Sequence, residues 1–289
     1  MATFSQWLTG ARPQTLPAAL APVAAGTGAA AALDGAHAFR ALLALVVALA
    51  LQVGVNYAND YSDGVRGTDD ERIGPFRLTG SKAASPGAVL AATCLSFAVA
   101  LAAGVWLLAL CGHWWLLVVG AACIPAAWFY TGGKRPYGYR GYGEVFVFIF
   151  FGLVAVLGTT YTQADRLSFT ALWAAIGIGA LACALLVTNN LRDIESDAKS
   201  GKYTLTVRLG DAKSRAFYMT LVGIALLMVA CMLPRHPWTG LVFFILPLLA
   251  RPVRAVLSGK AGKELLQVLR DTGKIELLYG LLLGLSLSL

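Results

Sequence analysis

The run Ala41-Leu-Leu-Ala-Leu-Val-Val-Ala-Leu-Ala50-Leu-Gln-Val-Gly-Val-Asn56-Tyr-Ala-Asn-Asp60-Tyr-Ser-Asp63 is hydrocarbon for most of its length and acidic at its end. About 20 apolar residues cross a bilayer as a helix, and carboxylates at the edge of hydrocarbon are costly and mark function. The stretch reads as a transmembrane helix that delivers polar side chains to the membrane surface. Asn56, Asp60 and Asp63 fall at i, i+4 and i+7, one stripe of that helix, with Asn59 beside it. The same Asn-x-x-x-Asp pattern returns 133 residues later as Asn189 to Asp193 and continues at that spacing to Asp197.

The rest of the chain matches this reading. Its 289 residues are 58% hydrophobic and only 13% charged, with a mean hydropathy of +0.69; a soluble domain carries about 25% charged residues. The charge-free intervals are 13–33, 41–59, 83–133, 145–164, 167–191, 216–234, 236–250 and 277–289. The interval 83–133 is long enough for two spans, with Cys111-Gly-His113 as the turn between them. The expected fold is an all-α integral membrane protein of nine transmembrane helices. The eighth interval is short and contains Pro247, so Arg251 and Arg254 are expected to snorkel.

Lys and Arg give the orientation. One side of the nine-span arrangement holds 20 of the 23 basic residues, and the other only Arg40, Arg166 and Arg235. The basic side, which includes the N-terminus and both Asn/Asp motifs, is expected to be cytoplasmic. The net charge of +8 is thus mostly a topology signal and not a nucleic-acid footprint, because the cations flank spans instead of covering a soluble face. No cleavable signal peptide is expected, since the first apolar stretch runs on as a full span. The five cysteines, at 94, 111, 123, 183 and 231, have no metal or redox spacing and read as packing residues. His37, His113 and His236 fall on the side away from the motifs.

Two parallel spans, each ending in Asn-x-x-x-Asp followed by a basic loop, indicate a diverged repeat of four-helix units plus a ninth helix, in one domain over 1–289. The repeated glycines and alanines, as in Gly26-Thr-Gly28-Ala-Ala30, suit close helix contact. The two acidic clusters, Asn56, Asp60 and Asp63 against Asn189, Asp193 and Asp197, would bind Mg²⁺, which takes one or two carboxylates together with substrate phosphates. Asp69 continues the acidity of the first cluster. Arg72, Arg77, Lys134, Lys202 and Arg208, with Arg12 as a further candidate, are placed to clamp a diphosphate. The loop Trp128-Phe-Tyr-Thr-Gly-Gly-Lys-Arg-Pro-Tyr-Gly-Tyr-Arg-Gly-Tyr-Gly-Glu144 offers Tyr130 and Tyr139 to an aromatic pocket, with Glu144 at its end. Lys134 and Arg135 are the cations nearest that aromatic run.

These segments resemble the UbiA superfamily of intramembrane aromatic prenyltransferases. The likeness rests on Asn56 to Asp69, on Arg72-Ile-Gly-Pro-x-Arg77-Leu78, on Tyr130-Thr-Gly-Gly with Gly143-Glu144, and on Asn189 to Gly210. Within the superfamily it is strongest to the enzymes that prenylate 1,4-dihydroxy-2-naphthoate in menaquinone biosynthesis. The resemblance implies a central cavity open sideways to lipid and Mg²⁺ as cofactor, in a bacterial plasma membrane. It also implies Asp60, Asp193 and Lys134 as catalytic residues. The substrates it implies are polyprenyl diphosphate and 1,4-dihydroxy-2-naphthoate, joined with loss of CO₂, and Lys134 and Arg135 are then expected beside the acceptor's carboxylate. One departure is visible: many members carry an Asp four residues after Asp60, where this chain has Gly64.

Three other readings share some of these features. Prenylation of another aromatic acceptor, such as 4-hydroxybenzoate, keeps the machinery and alters the pocket. A CDP-alcohol phosphotransferase fits Asp60-x-x-Asp63-Gly64 but lacks the residues that should follow. A cation transporter would use the same acids without consuming a diphosphate.

Overall fold

The computed structural model describes residues 2–67 and 76–289, and every regular element among them is helical. A short α1 (Phe4–Gly10) opens with Thr3 and Gln6 capping each other. It is followed by α2 (Pro17–Ala31), α3 (Ala38–Arg66), α4 (Pro86–Cys111), α5 (Leu116–Phe129), α6 (Gly143–Ala164) and α7 (Phe169–Arg192). Two short helices, α8 (Ile194–Lys199) and α9 (Leu205–Leu209), lead into α10 (Asp211–Met232), α11 (Pro237–Leu257) and α12 (Leu265–Leu287). Six of these, α3, α4, α6, α7, α10 and α11, are long and apolar enough to cross a membrane, and α5 is a shorter apolar helix.

The expected turn at Cys111-Gly-His113 is present: α4 stops at Cys111 and Gly112 takes φ 78°, a left-handed conformation that glycine reaches without a Cβ penalty. The last helix departs from expectation. It starts at Leu265, not near residue 277, and carries Arg270, Asp271, Lys274 and Glu276 within it. A charge marks a membrane boundary only where it faces lipid. Here Glu276 is buried, Asp271 lies 3.7 Å from Arg251, and Arg270 opens onto an internal chamber. Similarly, α11 runs on to Leu257, and both Arg251 and Arg254 lie exposed along it.

The buried axis of the molecule is α7, packed against α2, α6, α10 and α12 in one continuous apolar core. Small residues allow these helices to touch. A Cβ at Gly28 would stand 2.3 Å from the Gly284 carbonyl oxygen, and one at Gly152 would stand 2.7 Å from the Gly179 Cα. No larger residue fits without separating α2 from α12 or α6 from α7. By contrast, α5 buries none of its residues and serves as a wall, not as core. The space it encloses with α2, α3, α4 and α6 holds the apolar part of the site.

Candidate active site

Two chambers meet inside the bundle. The larger, about 370 Å³, is apolar and runs along α3 from Ala44 to Asn59, about 22 Å of helix. The smaller, about 210 Å³, is polar and is lined by Asp63, Asp197, Asn189 and Lys202 among others. Ala18, Gln52, Asn59, Tyr130, Val147 and Phe151 line both, so the two spaces are continuous.

The polar chamber takes its first acid from α3, and the cavity-facing stripe of that helix decides which one. Ala48, Gln52, Val55, Asn59 and Asp63 follow one another along the cavity wall. Asp60 is turned about 100° from Asn59 and lines neither chamber. Its two carboxylate oxygens accept the backbone N–H groups of Leu78 (2.7 Å) and Thr79 (2.8 Å), and it is fully buried. Gly64, one turn further, lies under the same segment, where a Cβ would meet the Thr79 Cβ at 2.5 Å. This explains why a further Asp is absent there: the loop carrying Arg77 is seated directly on the helix. Asp60 holds that loop in place. Asn56 likewise braces the entry to α2, its amide donating to the Ala11 carbonyl and to Thr15 Oγ1, each at 2.9 Å, although it also borders the apolar chamber.

Asp63 is the acid that the cations reach. Arg77 Nη2 lies 3.5 Å and Lys202 Nζ 3.7 Å from Asp63 Oδ2, and the Tyr139 hydroxyl donates to Oδ1. Lys202 also sits 4.7 Å over the Tyr139 ring. All of these groups except the half-buried Tyr139 are buried. Asn59, one turn back, accepts the Thr131 hydroxyl at 2.7 Å, which fixes the loop after α5 to the same stripe.

The second motif is built differently. Helix α7 ends at Asp193, whose φ of −99° and ψ of 9° break the helical run. The expected continuous stripe Asn189, Asp193, Asp197 therefore does not form. Asn189 lines the polar chamber from α7, whereas Asp197 reaches it from α8, after the bend. Asp193 lies at the bend, buried, with the Arg192 guanidinium on both of its oxygens at 2.7 and 2.5 Å. Its own carbonyl accepts the Asp197 N–H at 2.8 Å, and the Asp197 carbonyl accepts the Lys202 N–H at 2.8 Å. The bend therefore fixes both Asp197 and Lys202.

Among the remaining expectations, Arg12 and Tyr139 line the polar chamber, and Tyr130 lines both. Tyr130 therefore stands at the junction of the two chambers, its ring edge-on to that of Tyr137 at 5.5 Å. Glu144 stands behind the wall: its Oε1 accepts the Asn190 amide at 3.0 Å, and Asn190 faces the chamber. Lys134 and Arg135 are exposed and line neither chamber, contrary to their expected place beside an acceptor. The turn at Gly132 and Gly133 carries them outward, and Arg66 of α3 holds it by donating to the Thr131 and Gly133 carbonyls. Arg208 is also exposed and donates to the Tyr203 carbonyl at 3.2 Å. Asp69 and Arg72 lie outside the described residues.

Sequence reasoning missed Gln52, Thr131, Asn190 and Arg270, all of which line the polar chamber. Asn190 adjoins a motif residue and could have been found by extending the motif by one. Arg270 had no local signal, because it is brought in by α12 from the far end of the chain.

Comparison with known proteins agrees with this architecture. The model of the UbiA prenyltransferase family matches residues 19–262. The chain is 54% identical to the 1,4-dihydroxy-2-naphthoate octaprenyltransferase of Mycobacterium tuberculosis over 100% of its own length and 98% of the relative's. It is 37% identical to the protein of the same name from Escherichia coli, covering 98% of this chain and 95% of the other. Among solved structures, a UbiA homolog from Archaeoglobus fulgidus bound to GPP and Mg²⁺ superposes with a TM-score of 0.69 at 15% identity, over 98% of this chain and 100% of that one. Matched by the family model over most of its length and by relatives over nearly all of it, the chain belongs to the UbiA prenyltransferase family.

Proposed function

We propose that this chain transfers a polyprenyl group from polyprenyl diphosphate to 1,4-dihydroxy-2-naphthoate, with loss of CO₂, to give a demethylmenaquinone. The observation that carries the proposal is the junction of the two chambers. One is rich in acids and cations, the other is hydrocarbon, and an aromatic residue stands between them. A molecule with a charged head and a long apolar tail fits that pair. Relatives similar over their full length bear the name of this reaction.

The donor set of the polar chamber suits a hard cation. Asp63 and Asp197 supply carboxylate oxygens and Asn59 and Asn189 amide oxygens, the ligand class that Mg²⁺ prefers. These residues would hold it, and when bound it neutralises diphosphate charge and eases departure of that leaving group. Lys202 and Arg77, already drawn to Asp63, are positioned to donate to the remaining diphosphate oxygens, with Arg12 and Arg270 on the same walls. Tyr130 and Phe151 flank the junction, where the allylic carbon gains positive character, and their ring faces stabilise it. The apolar walls exclude water that would otherwise capture the cation. Asn190, its amide nitrogen held by Glu144, presents its carbonyl oxygen toward an acceptor hydroxyl.

The test is product analysis. Purified protein with Mg²⁺, octaprenyl diphosphate and 1,4-dihydroxy-2-naphthoate should yield a prenylated, decarboxylated naphthoquinol by mass spectrometry. Faster turnover of 4-hydroxybenzoate would reassign the acceptor, and ion flux without diphosphate consumption would remove the reading altogether. The polar chamber is assigned to the cytoplasmic side on the charge distribution. In a cysteine-free background, Ser200→Cys should react with impermeant thiol reagents only from inside and Ala164→Cys only from outside.

A further inference from the structure

The cavity-facing stripe of α3 has a residue at its other end that the reaction leaves unexplained. Arg40 precedes Ala44 by four positions, so it continues the stripe one turn beyond the apolar chamber. A cation at that place would be expected to reach water, yet its side chain is only 19% exposed. It crosses the bundle instead. Nη2 donates to the Leu110 carbonyl at 2.8 Å, and Nη1 to the Thr162 carbonyl at 3.1 Å and the Gln163 carbonyl at 3.5 Å. These are carbonyls in the last turns of α4 and α6, which have no intrahelical partner and carry partial negative charge. Arg40 Nη1 also lies 4.0 Å from Asp165, which is bonded to His113 Nε2 at 2.7 Å. Leu107, Leu108 and Thr162, on the same two helices, line the chamber just inside this bolt.

We propose that Arg40 closes the far end of the apolar chamber and thereby sets how much of a prenyl tail can be enclosed, making it a determinant of chain-length preference. This rests on the reading of that chamber as the tail site. A rigid guanidinium fixed at both ends by helix carbonyls is a firmer stop than an aliphatic side chain. Tail beyond the enclosed length must leave sideways between helices into lipid. A staple that merely joined three helix ends would affect stability equally for every substrate. A stop affects long tails and spares short ones.

The experiment measures kcat/KM for a series from geranyl to nonaprenyl diphosphate with one acceptor. Arg40→Ala should raise the ratio of longest to shortest donor at least fivefold over the parent. Arg40→Lys, which keeps a cation for the carbonyls but shortens the stop, should shift the ratio the same way by a smaller factor, and is the variant read if Arg40→Ala fails to fold. Gly104→Leu adds bulk to the chamber wall, where a Cβ meets only Val47 at 3.8 Å. It should lower the ratio at least fivefold while leaving the acceptor KM within twofold. Length profiles of the Arg40 variants that superimpose on the parent's would overturn the proposal. A parent that consumes no prenyl diphosphate would contradict the proposed function instead.

Discussion

The two Asn/Asp motifs share a spacing and differ in construction. On α3 the helix runs unbroken to Arg66, so residues one apart face different tasks: Asn59 and Asp63 look into the chamber, while Asp60 seats the loop of Leu78 and Thr79. At the end of α7 the helix breaks at Asp193, and the acid that reaches the chamber, Asp197, arrives on a separate short helix. In each region one carboxylate faces the cavity; the other binds backbone N–H groups in the first region and the Arg192 guanidinium in the second. Equal spacing in sequence does not imply an equal face in space. The face is set by where the helix stops and what packs on it.

Perturbing the chamber-facing acid of the second region should have the largest effect. Asp197→Ala is expected to lower kcat by about two to three orders of magnitude, the scale of losing a group that stabilises transition-state charge. Its melting temperature should stay near the parent's, since the bend is held by backbone bonds. A tenfold loss or less would mean that the second motif contributes structure alone. Next in size are the cations drawn to the acid of the first region. Lys202→Met and Arg77→Met should each raise the diphosphate KM about tenfold, equivalent to about 1.4 kcal/mol of binding, with the acceptor KM little changed. Equal rises in both constants would indicate collapse of the chamber, not loss of a clamp. The smallest effect belongs to the outward turn. Lys134→Met and Arg135→Met should leave both KM values within about twofold, because an exposed side chain away from partners contributes little. A selective rise in acceptor KM would restore their place at the acceptor.

Much of the fold was legible because hydrocarbon spans announce themselves by length and by missing charge. The turn at Gly112 followed from that pattern, and, as expected, none of the three histidines lines either chamber. The start of α12 was not legible, since four charges within its first twelve residues, Arg270, Asp271, Lys274 and Glu276, look like a loop until the burial of Glu276 and the chamber position of Arg270 are known. At the site, residue types were readable and faces were not. The spacing that made Asn56 and Asp60 a pair also fits Asn59 and Asp63, and only the packing of the 77–80 segment on α3 separates the two. Lys134 and Arg135 were misplaced for a related reason: adjacency to an aromatic run says nothing about the direction of a glycine turn.

A paired measurement on Asp63→Asn and Asp60→Asn tests most directly whether Asp63 is the carboxylate of α3 that serves the reaction while Asp60 holds the structure. Both isosteric variants would be assayed for kcat at saturating Mg²⁺ and for thermal melting in the same detergent. Asp63→Asn should lose at least about a hundredfold in kcat with an unchanged melting temperature. Asp60→Asn should be destabilised by about 1–3 kcal/mol, since one amide of the Leu78–Thr79 pair loses its acceptor, yet the folded fraction should turn over at close to the parent's rate. An inactive but fully stable Asp60→Asn, beside an active Asp63→Asn, would reverse the two roles.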